Sequence, residues 1–216
     1  MGGIFSIDSP LMQGLSKILD CIFLSILWVV FSLPLITFGA STSALYYTAN
    51  KTIRNSRGYV WQQFWRGFKS SFKQSTILWL IFLLIMFLLY NDIQIVGLLG
   101  SGNLAFAAKV FFTVLMVVLG LVVMYIFPYV ARFSAPLKSV AKNCAFMMVR
   151  HLPWSFLALL VIAVTAFIMW LIPITIFFMP TLGALVMTLI LERIFVRYMS
   201  EEDRLKERKL NGKEYL

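Results

Sequence analysis

The sequence predicts an all-α integral membrane protein of about five transmembrane helices, with amphipathic helices at the membrane surface in the loops between them. Three observations carry this. Hydrophobic residues make up 61% of the 216-residue chain and charged residues only 13%, about half the charged share of a soluble domain, and the mean hydropathy is +0.88. Uncharged runs long enough to cross ~30 Å of hydrocarbon recur along the chain. The basic residues that give a net charge of +10 lie between those runs, as expected of loops facing anionic lipid. With so few polar residues to cover its outside, the chain must face a lipid bilayer, and that distribution of charge sets nucleic acid aside as a partner.

The first span is expected near 18–40, around the uncharged CIFLSILWVVFSLPLITFGA of Cys21 to Ala40. Pro34 falls inside it, where a proline removes a backbone donor and clashes with the preceding turn. A helix-packing kink is expected there, with Ser32, Thr37 or a neighbouring helix satisfying the freed backbone groups. Gly39, Ala40, Ser41 and Ser43 follow, small enough for close helix contact. The second span is expected near 75–97, starting in TILWLIFLLIMFLLY, and the third near 107–130. The uncharged stretch from Pro153 to Leu191 is too long for one helix, so Pro173 is taken as a turn between spans near 153–172 and 175–196, with Pro180 in the early turns of the last.

Between spans one and two lie Lys51, Arg54, Arg57, Arg66, Lys69 and Lys73 with no acidic residue. Between three and four lie Arg132, Lys138, Lys142 and Arg150, and after the fifth Arg197, Arg204, Lys206, Arg208, Lys209 and Lys213. The positive-inside rule puts these segments in the cytoplasm, including a charged tail at 201–216, and the N-terminus outside. Only with an odd number of spans such as five do all three fall on one side.

Two loops carry more than charge. In VWQQFWRGFKSSFKQ, Trp61, Phe64, Trp65, Phe68 and Phe72 recur at helical spacing, flanked by Arg66, Lys69 and Lys73. Near 60–73 this predicts a helix lying in the plane of the interface. Its stripe would serve as a lipid anchor or a docking face for a partner, with some core packing as a further reading. A second surface helix is expected near 136–150.

Candidate chemistry is sparse. Lys17 three residues before Asp20 suggests an ion pair, snorkelling accounts for Glu192 and Arg193 at the margin of the last span, and His151 reads as an interfacial histidine. Cys21 and Cys144 fall at opposite faces and cannot pair, and Cys144 is a juxtamembrane candidate for lipidation. No metal-ligand cluster, nucleophile motif or phosphate-binding loop is present in the sequence. Catalytic, cofactor and metal residues are therefore none, and the expectation is a protein that is not an enzyme.

The segment SLPLITFGASTSALYY, Ser32 to Tyr47, followed by GYVWQQFWRGFKSSFKQ, Gly58 to Gln74, resembles the YesL family of bacterial multi-pass membrane proteins. Members are typically found in the plasma membrane of Gram-positive bacteria and are often encoded beside carbohydrate ABC importers. The resemblance implies a non-catalytic accessory membrane subunit of a carbohydrate or oligosaccharide ABC importer, packing against the permease subunits. The alternatives are a membrane sensor, regulator or assembly factor for sugar uptake, or a stand-alone homo-oligomeric transporter. Neither basic loop contains the EAA-like segment by which such permeases engage their ATPase, so the chain is not expected to be the permease itself.

Overall fold

The computed structural model describes residues 10–56, 58–98, 102–133 and 135–199, so the charged tail expected at 201–216 lies outside the described residues. Helices α1 (Pro10–Ser32), α2 (Phe38–Thr48), α3 (Val60–Leu98), α4 (Asn103–Arg132), α5 (Leu137–Arg150), α6 (Leu152–Leu171) and α7 (Met179–Tyr198) follow in order. Among the described residues there is no strand. Five helices, α1, α3, α4, α6 and α7, are long and apolar enough to cross a membrane. The protein is a multi-pass α-helical membrane protein.

The first span differs from expectation. Instead of a kinked helix through 18–40, α1 stops at Ser32, Pro34 is extended at φ −74° and ψ 114°, and a short 3-10 turn over Leu35–Thr37 leads into α2. The cause is local: proline cannot donate, and it disfavours helical geometry at the residue before it. Thr37 Oγ1 donates to Phe31 O at 2.7 Å and to Pro34 O at 2.9 Å, and Trp79 Nε1 donates to Leu35 O at 2.7 Å. The freed carbonyls are thus satisfied from the turn itself and from α3.

Helix α2 is the centre of the packing. Of its eleven residues, Gly39, Ala40, Ser41, Ser43, Ala44, Leu45, Tyr46 and Thr48 are buried. A Cβ on Gly39 would lie 2.8 Å from the Ser75 carbonyl oxygen and 2.8 Å from the Phe127 ring, so α3 and α4 approach here as closely as glycine permits. Ser43 and Ser75 share a hydrogen bond of 2.8 Å across the α2–α3 seam. Beyond α2 the backbone widens into a π-helical segment at Ala49–Arg54. A turn with Ser56 at φ 51° and Gly58 at φ 69° then starts α3.

The second correction concerns the helix expected in the membrane plane near 60–73. Those residues are the first turns of α3, a single 39-residue helix about 58 Å long. A hydrocarbon core accounts for ~30 Å of that, so α3 is much longer than one crossing needs. Packing holds its first turns against α1: Phe31 meets Phe64 at 5.4 Å and Phe68 at 5.1 Å between ring centroids. By contrast α5 is a separate helix, with Val140, Cys144, Met147 and Met148 buried and Phe146 and Val149 exposed.

The expected third span widens to the 30 residues of α4, which carries Pro128 internally. The last two spans are α6 and α7, divided by a 3-10 turn at Pro173–Phe177, with Pro180 in the first turn of α7, where its missing donor is not needed. Thr181 Oγ1 donates to Cys21 O at 3.0 Å and shares a hydrogen bond of 2.7 Å with Ser25, tying the start of α7 to α1.

Candidate functional site

The end of the bundle that carries the basic residues gathers a charge cluster around one buried carboxylate, Glu192. Helix α7 buries Thr188, Leu191 and Phe195 at three- and four-residue intervals, and Glu192 sits beside this face at only 6% exposure. Its Oε2 pairs with Arg132 Nη2 at 3.2 Å. Its Oε1 accepts from Asn50 Nδ2 at 2.9 Å and from the Tyr46 hydroxyl at 3.3 Å. Arg54, one turn on from Asn50, donates to Thr188 O at 3.3 Å and Asn50 Oδ1 at 3.4 Å. The π-helical widening brings Asn50 and Arg54 onto the side facing α7, a placement such segments often serve.

Snorkelling is therefore the wrong account of Glu192. Its partner, Arg132, comes from the end of α4, sixty residues earlier, and burial of the carboxylate is tolerated because Arg132 supplies the opposite charge while Asn50 and Tyr46 donate to its other oxygen. Burial, and after it the Glu192 charge, pushes the Tyr46 hydroxyl well above its ordinary range, so it stays a donor to the carboxylate.

Tyr46 also faces a half-open cavity of about 340 Å³ between the helices. Its walls come from α1, α2, α3, α4, α6 and α7, and they are almost entirely apolar. Trp28, Phe38, Trp79 and Phe127 form a chain of ring contacts along it. The Tyr46 ring is thus part of the cavity wall, while its hydroxyl belongs to the charge cluster.

The residues singled out from sequence divide. Phe64 and Phe68 are buried against α1 and α2, whereas Trp61, Trp65 and Phe72 remain exposed together with Arg66, Lys69 and Lys73. Trp61 and Trp65 stack with centroids 6.1 Å apart at 7°. Pro34 stops a helix, Gly39 makes the closest approach in the core, and Ser41 is buried with a 2.6 Å hydrogen bond to Ser32. Lys17 and Asp20 form no ion pair within 4.0 Å, in keeping with the small energy of an exposed pair.

Cys144 is wholly buried and its thiol is pushed up to about 12 by that burial, which removes it as a lipidation site. Arg193 lies over the Trp154 ring at 5.9 Å. His151 lies 3.3 Å from the Tyr198 hydroxyl, and burial, then the charges of Arg197 and Arg150, lowers its pKa. Among the described residues no three His, Cys, Asp or Glu side chains gather to hold a metal.

Glu192, Asn50 and Tyr46 were not singled out from sequence as a cluster. The one signal present was a lone carboxylate beside an apolar run, and its partner is remote in the chain.

Residues 21–93 match the family model described as "Protein of unknown function, DUF624". A protein of Bacillus subtilis (strain 168), described as "Uncharacterized protein YesL", is 27% identical over 148 residues, which is 67% of this chain and 69% of that protein. No solved structure matches.

Proposed function

We propose that this chain, which belongs to the YesL family, is a non-catalytic accessory membrane subunit that packs against the permease subunits of a carbohydrate ABC importer. The importer is the partner that the family resemblance implies. The observation that carries docking is the split aromatic stripe on α3. Phe64 and Phe68 anchor the helix in the core, and that anchorage holds Trp61, Trp65, Phe72 and their basic neighbours outward on a rigid support. Exposed Trp and Arg on a preorganised helix are the residue types that dominate protein interfaces, and a face already ordered loses little entropy on binding.

Every described basic loop lies at the end that bears this stripe, which supports a cytoplasmic position for that end in a bacterial plasma membrane, with the N-terminus outside. The apolar lining of the cavity weighs against a sugar pathway through this chain alone, because sugar hydroxyls would lose their water without replacement. Tyr46 favours a sensor or regulator as the second reading, since it joins the cavity wall to the Glu192 cluster.

The test places a photo-crosslinking p-benzoylphenylalanine at Trp61 or Trp65 in native membranes. Adducts with an importer permease are expected, together with near-stoichiometric retention of this chain when the permease is affinity-purified. Cross-links to lipid alone, with no retention, would remove the docking role.

A further inference from the structure

The cavity beside Tyr46 has the chemistry of a hydrocarbon site. Its aromatic wall runs from Trp28 to Phe38 at 5.8 Å, from Phe38 to Trp79 at 4.9 Å and from Trp79 to Phe127 at 5.9 Å between ring centroids. The polar atoms along the walls are already engaged. Trp28 Nε1 donates to Thr42 Oγ1 at 3.2 Å, and Thr42 Oγ1 donates to Phe38 O at 2.8 Å. Thr165 Oγ1 donates to Val161 O at 2.9 Å and Ile162 O at 2.8 Å. The Tyr46 hydroxyl is committed to Glu192.

A guest bearing hydroxyls or charge would give up its water and receive no partner in exchange, whereas an apolar guest loses nothing by entering a half-open apolar site. At about 340 Å³ the space falls within the roughly 300–1,000 Å³ of ligand-sized pockets. All five spanning helices contribute to its walls, so it lies inside the part of the protein that is surrounded by lipid tails, the most concentrated hydrocarbon available to it.

We propose that this cavity binds an acyl chain of a bilayer phospholipid. The chain fills the space between the aromatic wall and Met187 and rests against the Tyr46 ring, without polar contact to the protein. This goes beyond partner docking and is independent of it.

The protein is reconstituted in vesicles of phosphatidylcholine carrying a diazirine on the acyl chain, irradiated, digested and mapped by mass spectrometry. Adducts are expected on Phe127, Met187 or Tyr46, which the surrounding helices shield from lipid at the protein's outer surface. Labelling confined to outward-facing residues such as Phe87, Phe106 and Trp170 would overturn the proposal. Ala184→Phe narrows the cavity and is expected to lose the Met187 adduct while keeping that on Phe106. An unchanged Met187 adduct in this variant, with helicity and elution volume intact, would count against the site. Ala166→Phe narrows it from α6 should Ala184→Phe not fold, and the wild-type map decides by itself if neither does. A second arm offers a diazirine-bearing alkane in unlabelled vesicles. Labelling of Met187 by the alkane and not by the phospholipid would assign the site to a free apolar molecule and reject the lipid.

Discussion

The two halves of α3 share one continuous helix and live in different solvents. From Val60 to Leu78 the buried residues are Val60, Phe64, Gly67, Phe68, Ser71, Ser75 and Leu78, a stripe that repeats every three or four positions. From Trp79 to Leu98 only Leu89 is buried, and Leu84, Phe87 and Leu88 stand more than half exposed. The first half is held by protein: small residues meet the small residues of α2, and two rings close on Phe31. The second half rests on the helix's own backbone bonds and an apolar surface suited to lipid, which makes no demand for a particular neighbour. Along α3, specific contacts therefore concentrate at the basic end, and the other end needs little more than length and apolarity.

That contrast can be broken most forcefully at the charge cluster. Glu192→Ala removes the buried carboxylate that Arg132, Asn50 and Tyr46 share and should cost about 3–5 kcal/mol, read as a lowered midpoint in SDS-titrated unfolding from mixed micelles. A loss no greater than that of an exposed carboxylate would mean that the cluster is solvated. Phe64→Ala, at a side chain with no exposure, should cost a similar ~3–5 kcal/mol through the cavity it opens. Gly39→Ala forces a methyl against the Ser75 carbonyl and the Phe127 ring, and should cost about 1–3 kcal/mol as α2 and α3 separate. Phe87→Ala makes the same change as Phe64→Ala on the same helix, at a residue 64% exposed, and should stay within about 0.5 kcal/mol. Equal losses at Phe64 and Phe87 would erase the distinction between the halves.

The spans were legible because hydrocarbon imposes a length, and twenty uncharged residues meet it whatever their order. α2 was not, because its burial is achieved by Gly39, Ala40, Ser41, Ser43 and Ala44. Small residues announce close helix contact, but without the periodic bulk that marks a buried face they do not show that α2 is a separate helix buried along most of its length. The aromatic stripe was visible, but Phe64 and Phe68 alternate with Trp61, Trp65 and Phe72 too closely for spacing to tell wall from surface. The signal that distinguishes them is the neighbouring row Gly67, Ser71 and Ser75, which offers α2 a flat seat. Glu192 was misread because one charge beside an apolar run looks the same whether it reaches for water or for an arginine sixty residues away.

A spin-label scan along the exposed side of α3, from Trp61 to Phe87, measures depth from the balance of oxygen and aqueous relaxant collisions. An upright helix predicts depth changing steadily at about 1.5 Å per residue or slightly less with tilt, with one unbroken helical period through Gln74–Leu78 and water-accessible labels at Trp61 and Lys69. A constant depth over 60–73, with the period interrupted before Leu78, would show a helix lying in the membrane plane and contradict the clamped, projecting α3 on which the docking face depends.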